Sequence, residues 1–316
     1  FEHYGDALHG VELYTGRRAA NVVNEAIEQI QAFGASPWFL FVNLFDPHAP
    51  YDPPAPYDAG LEPVDEGRLQ RAQMARLTAG LPPAPEPWEV EAEKALLARY
   101  DAEIAYMDAE LARLLAAVAA APSRDRTLIA ITADHGESFG EHDYFSHGAH
   151  LYEDNVRVPL ILRLPNGAGA DTRVATPVPN HALFAELLRA AELPVPTGAP
   201  TLDGRAPILT EVGASDANVR LFGSFFDRNL RALYAFPFKW IESSRGDVEL
   251  YDLSADPQER QNLAGKDSQR AAAMHEELER RVAALPPLYE EGARAEVSDE
   301  TKRSLHALGY LGNDGR

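Results

Sequence analysis

The sequence predicts an α/β protein: a mostly parallel sheet with helices between its strands, then a smaller antiparallel sheet covered by a helix. Three observations predict it. The runs Trp38–Phe45 and Thr127–Ala133 are short and rich in aliphatic, aromatic or β-branched residues, the composition of strands buried in a parallel sheet. Between them, from about Glu89 to Ala120, Leu96, Leu97, Tyr100, Ile104, Met107, Leu111, Leu114, Leu115 and Val118 recur three or four residues apart. Strand, helix and strand in that order make a βαβ unit. Beyond Arg205 the pattern changes to short strands parted by turns, then one helix.

Taken in order, Ala20, Val23, Ala26, Ile27 and Ile30 form the apolar side of a first helix that closes near Phe33-Gly34. Residues 55–88 are rich in Pro, Ala and Glu and read as a surface excursion with a short helix around 67–77. The long helix stops at Ala121-Pro122-Ser123. Val156–Leu164 reads as a further strand, and 180–191 as a short helix. Pro194–Arg205, rich in Pro, Gly, Thr and Asp, reads as a linker, which places a domain boundary between 1–200 and 201–316. The strands after it are Ile208–Val212, Val219–Phe222, Arg231–Ala235, Phe238–Glu242 and Val248–Leu253, with Ser243–Asp247 as a hairpin turn. A helix over 268–285 covers one face, and a last short helix lies near Asp299–Leu308.

With 316 residues, 45% of them hydrophobic and 25% charged, the chain has an ordinary globular composition. Its longest apolar run is strand-sized and far short of a membrane span. A net charge of −20 argues against nucleic acid or an anionic membrane as the main partner. It leaves room for an anionic substrate, because a bound cation and local basic groups can reverse the field within one pocket. There is no cysteine, which removes disulfides, thiolate metal sites and a Cys nucleophile from this chain. The start at Phe1 reads as a processed end or a cut through a longer protein.

The chemistry gathers at strand ends, where ligands of open α/β sheets bind. Thr127–Ala133 runs straight into Asp134-His135-Gly136-Glu137: an acid, an imidazole and a glycine hinge that suit a metal site, or else a polar turn capping a helix. Trp38–Phe45 runs into Asp46-Pro47-His48-Ala49-Pro50-Tyr51, where two prolines stiffen the loop that carries His48. The loop after Glu137 adds His142, His147 and His150, of which one or two face the pocket.

Together these segments resemble the sulfatase family of the alkaline-phosphatase-like superfamily. Residues 46–51 match its D-P-H-x-P-Y loop, and Tyr100–Asp108 is similar to its helix pattern Y-x-x-E-I-x-Y-x-D. Thr127–His142 resembles the metal-binding strand and loop, and His147–Glu153 with Arg157–Leu160 the H-G-x-x-L-Y-E and R-V-P-L segment. Glu249–Leu253 with Asp256, Pro257, Glu259, Asn262 and Leu263 resembles E-L-Y-D-L-x-x-D-P-x-E-x-x-N-L, and Leu305–Gly312 a common sulfatase tail.

The resemblance implies a doubly wound, mostly parallel sheet in a catalytic part over 1–200, and a C-terminal subdomain over 201–316. It implies a metal-dependent sulfuric ester hydrolase acting on a sulfate ester, in many relatives a sulfated carbohydrate, with a periplasmic or extracellular location by family habit. Asp134 and His135 match two ligands of the divalent metal, calcium in most members, with Mg2+, Mn2+ or Zn2+ left open by a nitrogen ligand. His48 matches the histidine at the sulfate or its leaving oxygen. His147 matches the basic sulfate-binding residue, with His150 in reserve. The family's nucleophile, a formylglycine made from C/S-x-P-x-R, has no counterpart here: Ala120–Arg124 has alanine at the reacting position. Residues 1–316 by themselves are therefore expected to be inactive. A phosphodiesterase, phosphonate monoester hydrolase or phosphatase of the same superfamily, and a non-catalytic fragment, are the alternatives.

Overall fold

The structure, a computed structural model, describes residues 17–78, 85–199, 207–214, 219–220 and 223–285. Contacts divide the chain into two units, the first built from residues 1–72, 84–127 and 292–316 and the second from 73–83 and 128–291. The class is α/β, with an antiparallel sheet and a helix in the C-terminal part.

In the first unit, α1 (Ala19–Phe33) buries Ala19, Val23, Ala26 and Ile30, the stripe expected from the spacing, and ends where Gly34 turns to φ 58°. It lies along α3 (Pro87–Ala120), with Arg113 donating to Asn24 Oδ1 at 2.6 Å. Pro87 opens α3, where its missing N–H is no loss. Ala121 closes it in an extended conformation, because the residue before a proline is crowded out of the α region. The expected short helix is α2 (Glu66–Thr78).

Two expectations fail here. Trp38–Phe45 forms no strand ladder among the described residues, and Phe39 and Phe41 are 69% and 75% exposed. Composition alone does not make a strand, because the backbone groups need an adjacent partner. Among the described residues every ladder is antiparallel.

In the second unit, β1 (Ile129–Thr132) instead pairs antiparallel with β4 (Leu160–Arg163), Ile129 opposite Arg163 and Thr132 opposite Leu160. A connection that folds straight back on itself can only deliver an antiparallel neighbour. β1 is therefore half-buried rather than buried on both faces. The connecting loop holds a small ladder, β2 (Ser138–Phe139) with β3 (Phe145–Ser146), and the one-turn helix α4 (Glu153–Val156). The short helix near 180–191 is α5 (Leu183–Ala190).

The C-terminal sheet runs in the order β5 (Ile208–Val212), β6 (Leu230–Ala235), β7 (Phe238–Ser243), β8 (Val248–Asp252), each pair antiparallel. The period of two divides its side chains cleanly. Leu233, Trp240 and Leu250 face α6 (Ser268–Ala284) and meet Ala271, Met274 and Leu278. Leu230, Ala232, Tyr234, Ile241 and Tyr251 face the other way and bury Leu151, with Tyr152 and Val156 packed beside them. The sheet is thus a platform for the segment that leads out of the histidine loop. Val219 and Arg220, expected in a strand, are helical, and Gly223 N donates to Val219 O at 2.9 Å to close that turn. The expected helix near 299–308 lies outside the described residues.

Candidate active site

Asp134 and His135 follow the end of β1. The Asp134 side chain is 73% exposed, and its Oδ1 accepts the His135 amide at 3.0 Å. His135 Nδ1 lies 2.8 Å from Gly136 O. A carbonyl can only accept, so Nδ1 carries the proton and the neutral ring keeps its lone pair on Nε2. Such a bond to the second nitrogen is how metal-ligating histidines are oriented. Nε2 stands 3.8 Å from Asp134 Oδ2. Two ligand atoms held ~2.0–2.4 Å from one ion lie about 3–4 Å apart, so these two residues fit a shared divalent cation. Two atoms would be part of a shell only.

Gly136 is not the hinge that its residue type predicts. Its N–H donates to Asn155 O at 2.7 Å, and a Cβ there would overlap the Asp154 carbonyl oxygen. The glycine is needed because another backbone passes close by.

His147 stacks on His135, ring centres 3.9 Å apart and planes 27° from parallel. Its Nδ1 lies 3.3 Å from both carboxylate oxygens of the buried Glu137. Burial pulls the imidazole down, but the hydrogen bond and charge of Glu137, with the charge of Asp134, hold it above its ordinary value. An imidazole held towards its protonated form suits an anionic group. His150 is different. It is buried, accepts the Tyr152 amide on Nδ1 at 3.2 Å and meets Ser138 Oγ with Nε2 at 2.8 Å. Burial above all, with His142, Lys239 and Arg228 nearby, lowers it to about 3. With both nitrogens engaged inside the protein, His150 organises the loop rather than offering a donor to a ligand. His142 stacks on Tyr152 at 3.7 Å.

His48 belongs to the first unit. Its ring lies on Phe45 at 4.4 Å, and Nδ1 donates to Ala49 O at 2.7 Å, which puts the neutral ring's lone pair on Nε2. The loop is held from several sides. Asp46 Oδ2 accepts the first helical N–H of α1, from Ala19, at 2.7 Å. Arg99 and Glu103 of α3 bind Tyr51 O at 2.8 Å and Asp52 N at 2.8 Å, and Tyr100 packs edge-on against Tyr51 at 5.6 Å. Tyr106 OH accepts Ala20 N at 3.0 Å. The helix motif of Tyr100, Glu103 and Tyr106 is thus a clamp, its members three apart on one side of α3. Burial pushes the Glu103 carboxyl up to about 8, against the pull of the Asp52 amide, and raises Asp46 as well.

Asp134, His135 and His147 therefore come together in one unit, and His48 sits in the other. Reading motifs from sequence identified these histidines but missed Glu137 as the partner of His147 and Asn155 as the partner of Gly136. Glu137 was legible as the acid next to D-H-G. Asn155 carries no local signal.

The chain is similar to known proteins along most of its length. A family model described as Sulfatase matches residues 9–193, and one described as N-sulphoglucosamine sulphohydrolase, C-terminal, matches 140–286. The uncharacterized sulfatase YidJ of Escherichia coli (strain K12) is 31% identical over 163 residues, covering 50% of this chain and 32% of that protein. An N-acetylglucosamine-6-O-sulfatase of Bacteroides thetaiotaomicron is 28% identical over 180 residues, 53% of this chain and 32% of that protein. The solved phosphonate monoester hydrolase of Agrobacterium radiobacter superposes with a TM-score of 0.63 at 26% identity, covering 84% of this chain and 60% of that one. The chain spans about a third of the length of these two curated relatives.

Proposed function

Because the chain belongs to the sulfatase family, we propose that the protein it is part of hydrolyses sulfate esters with a divalent metal and a formylglycine nucleophile. The observation that carries this reading is the pair Asp134 and His135, whose Oδ2 and Nε2 lie 3.8 Å apart with the His135 tautomer set by Gly136 O. Ca2+ is the first choice of ion, and Mg2+, Mn2+ or Zn2+ suit a mixed oxygen and nitrogen shell. An ion held there supplies positive charge to the sulfuryl oxygens as the S–O bond breaks.

The chain's own groups do the rest. His147, kept basic by Glu137, binds the anionic sulfate. His48, whose Nδ1–H is tied to Ala49 O, acts through Nε2 as the imidazolium, the acid that protonates the leaving oxygen or the donor that holds the sulfate. The nucleophile comes from a segment outside residues 1–316. A sulfated carbohydrate is the proposed substrate class, supported by the N-acetylglucosamine-6-O-sulfatase relative. The division into a catalytic part over 1–200 and a C-terminal subdomain over 201–316 belongs to the same proposal.

The test is turnover by the full-length protein on an aryl sulfate, an N-acetylglucosamine 6-sulfate and a phenyl phosphonate monoester. Preference for the sulfates supports the reading, and preference for the phosphonate overturns it. Hydrolysis of the aryl sulfate by residues 1–316 alone would overturn the external nucleophile. His48→Ala should slow poor leaving groups more than activated aryl esters; equal losses assign His48 to sulfate binding.

A further inference from the structure

Asn155 lies in α4, distant in sequence from the strand end that carries Asp134 and His135, and its side chain is buried. Its backbone oxygen accepts Gly136 N at 2.7 Å, next to His135. Its Oδ1 accepts Gly148 N at 3.2 Å, next to His147. Its Nδ2 donates to Ser138 Oγ at 2.8 Å and to Ser146 O at 3.4 Å. One residue therefore ties down both segments whose rings stack at 3.9 Å.

The network behind it has a single consistent assignment of protons. Ser138 Oγ meets three groups, His150 Nε2, Asn155 Nδ2 and Asp154 Oδ2. A hydroxyl has one proton and two lone pairs. His150 Nδ1 already accepts from Tyr152 N, so Nε2 carries the ring proton and donates to Ser138. Asn155 donates as well, which leaves the serine proton for Asp154. Every donor around Asn155 is thereby committed, and its amide cannot turn over without breaking three bonds. An amide is the one side chain of this size with an acceptor for Gly148 and donors for Ser138 and Ser146.

We propose that Asn155 is the positioning residue of this site: it holds His147 over His135, and through them sets the spacing of sulfate-binding and metal-binding groups. The proposal rests on the sulfatase reading for its functional consequence and on geometry alone for the stacked pair.

The experiment uses the full-length protein with Asn155→Ala, Asn155→Asp and, as a matched loss of a structural amide elsewhere, Asn262→Ala. Asn262 accepts Leu250 N at 3.1 Å and Ala264 N at 2.9 Å and donates to Val248 O at 3.1 Å. Asn155→Asp keeps an acceptor for Gly148, loses the donors and adds a carboxylate, and it carries the test if the alanine variant does not fold. Two quantities are read: Mn2+ affinity by calorimetry, and the nuclear Overhauser contact between the His135 and His147 ring protons in histidine-labelled protein. Both Asn155 variants should lose the contact and bind Mn2+ about 10–100-fold more weakly, the usual cost of removing an outer-shell support. Asn262→Ala should lower thermal stability and change neither. A ring contact and Mn2+ affinity that survive in Asn155→Asp, or an equal loss in Asn262→Ala, overturn the proposal. Wild-type protein that binds no Mn2+ and turns over no sulfate ester overturns the sulfatase reading instead, and the ring contact then still decides whether Asn155 holds the pair.

Discussion

Lys239 and Glu259 form an ion pair cut off from solvent: Nζ and Oε1 are 2.6 Å apart, and the side chains are 0% and 1% exposed. Lys239 Nζ also reaches Glu153 Oε1 at 3.0 Å, whose other partner is Tyr234 OH at 2.5 Å, while Glu259 Oε2 accepts the Glu153 amide at 2.7 Å. Burial lifts the Glu259 carboxyl and the Lys239 ammonium draws it back. Two motifs far apart in sequence, L-Y-E ending at Glu153 and the D-P-x-E ending at Glu259, thus meet on one lysine of β7. A second link is made by Glu249, which accepts from Tyr152 OH at 2.9 Å and Tyr251 OH at 2.5 Å.

Removing only the lysine should be costly. Lys239→Met leaves the buried Glu259 and the half-buried Glu153 without their cation and is expected to lower unfolding free energy by about 3–5 kcal/mol. Adding Glu259→Gln should restore part of that loss. Urea unfolding of the two variants checks it, and equal stability of Lys239→Met and wild type would refute the role of the pair.

Stability should fall as pH rises through neutrality, because of Glu103. Its folded-state value near 8 lies above that of an unfolded carboxyl. The protonated form is favoured in the folded state, so this contribution is complete below the unfolded value near 4.5 and is lost as pH passes through about 8. Glu103→Gln, which stays neutral, should match wild type near pH 5 and exceed it at pH 9 in thermal unfolding. Glu103→Leu should cost about 1–3 kcal/mol at pH 5, because the Asp52 amide loses its acceptor.

Asp134→Ala should separate metal binding from folding. The side chain is largely exposed, so stability of the metal-free protein should change by no more than about 0.5 kcal/mol. Metal content on elemental analysis should fall to background, and an unchanged content would remove Asp134 from the ligand set.

Gly136→Ala should do the reverse and damage the fold at the site. The added methyl must displace the Asp154 backbone, an overpacking expected to cost about 1–3 kcal/mol. Ion affinity should fall with it, as measured by calorimetry on the variant. If glycine served there only as a hinge, the alanine variant would keep wild-type stability.

Local pattern in the sequence determined much of this protein. The buried stripe of α1, the span of α3, the hairpins of β6 to β8 and the face covered by α6 follow from periods of 3.6 and 2, which each segment carries by itself. The same local reading brought out Asp134, His135 and His147. What only the tertiary structure decided depends on what comes near. Trp38–Phe45 has a strand's composition and no ladder among the described residues, while β1 takes β4 as its antiparallel neighbour, because pairing is a property of two segments. His147 and His150 look alike in sequence, yet Glu137 keeps one basic and burial against Ser138 and Tyr152 keeps the other neutral. Asn155 was invisible in sequence for the same reason: its four bonds reach residues 7 to 19 positions away along the chain, brought within reach only when the loop folds back.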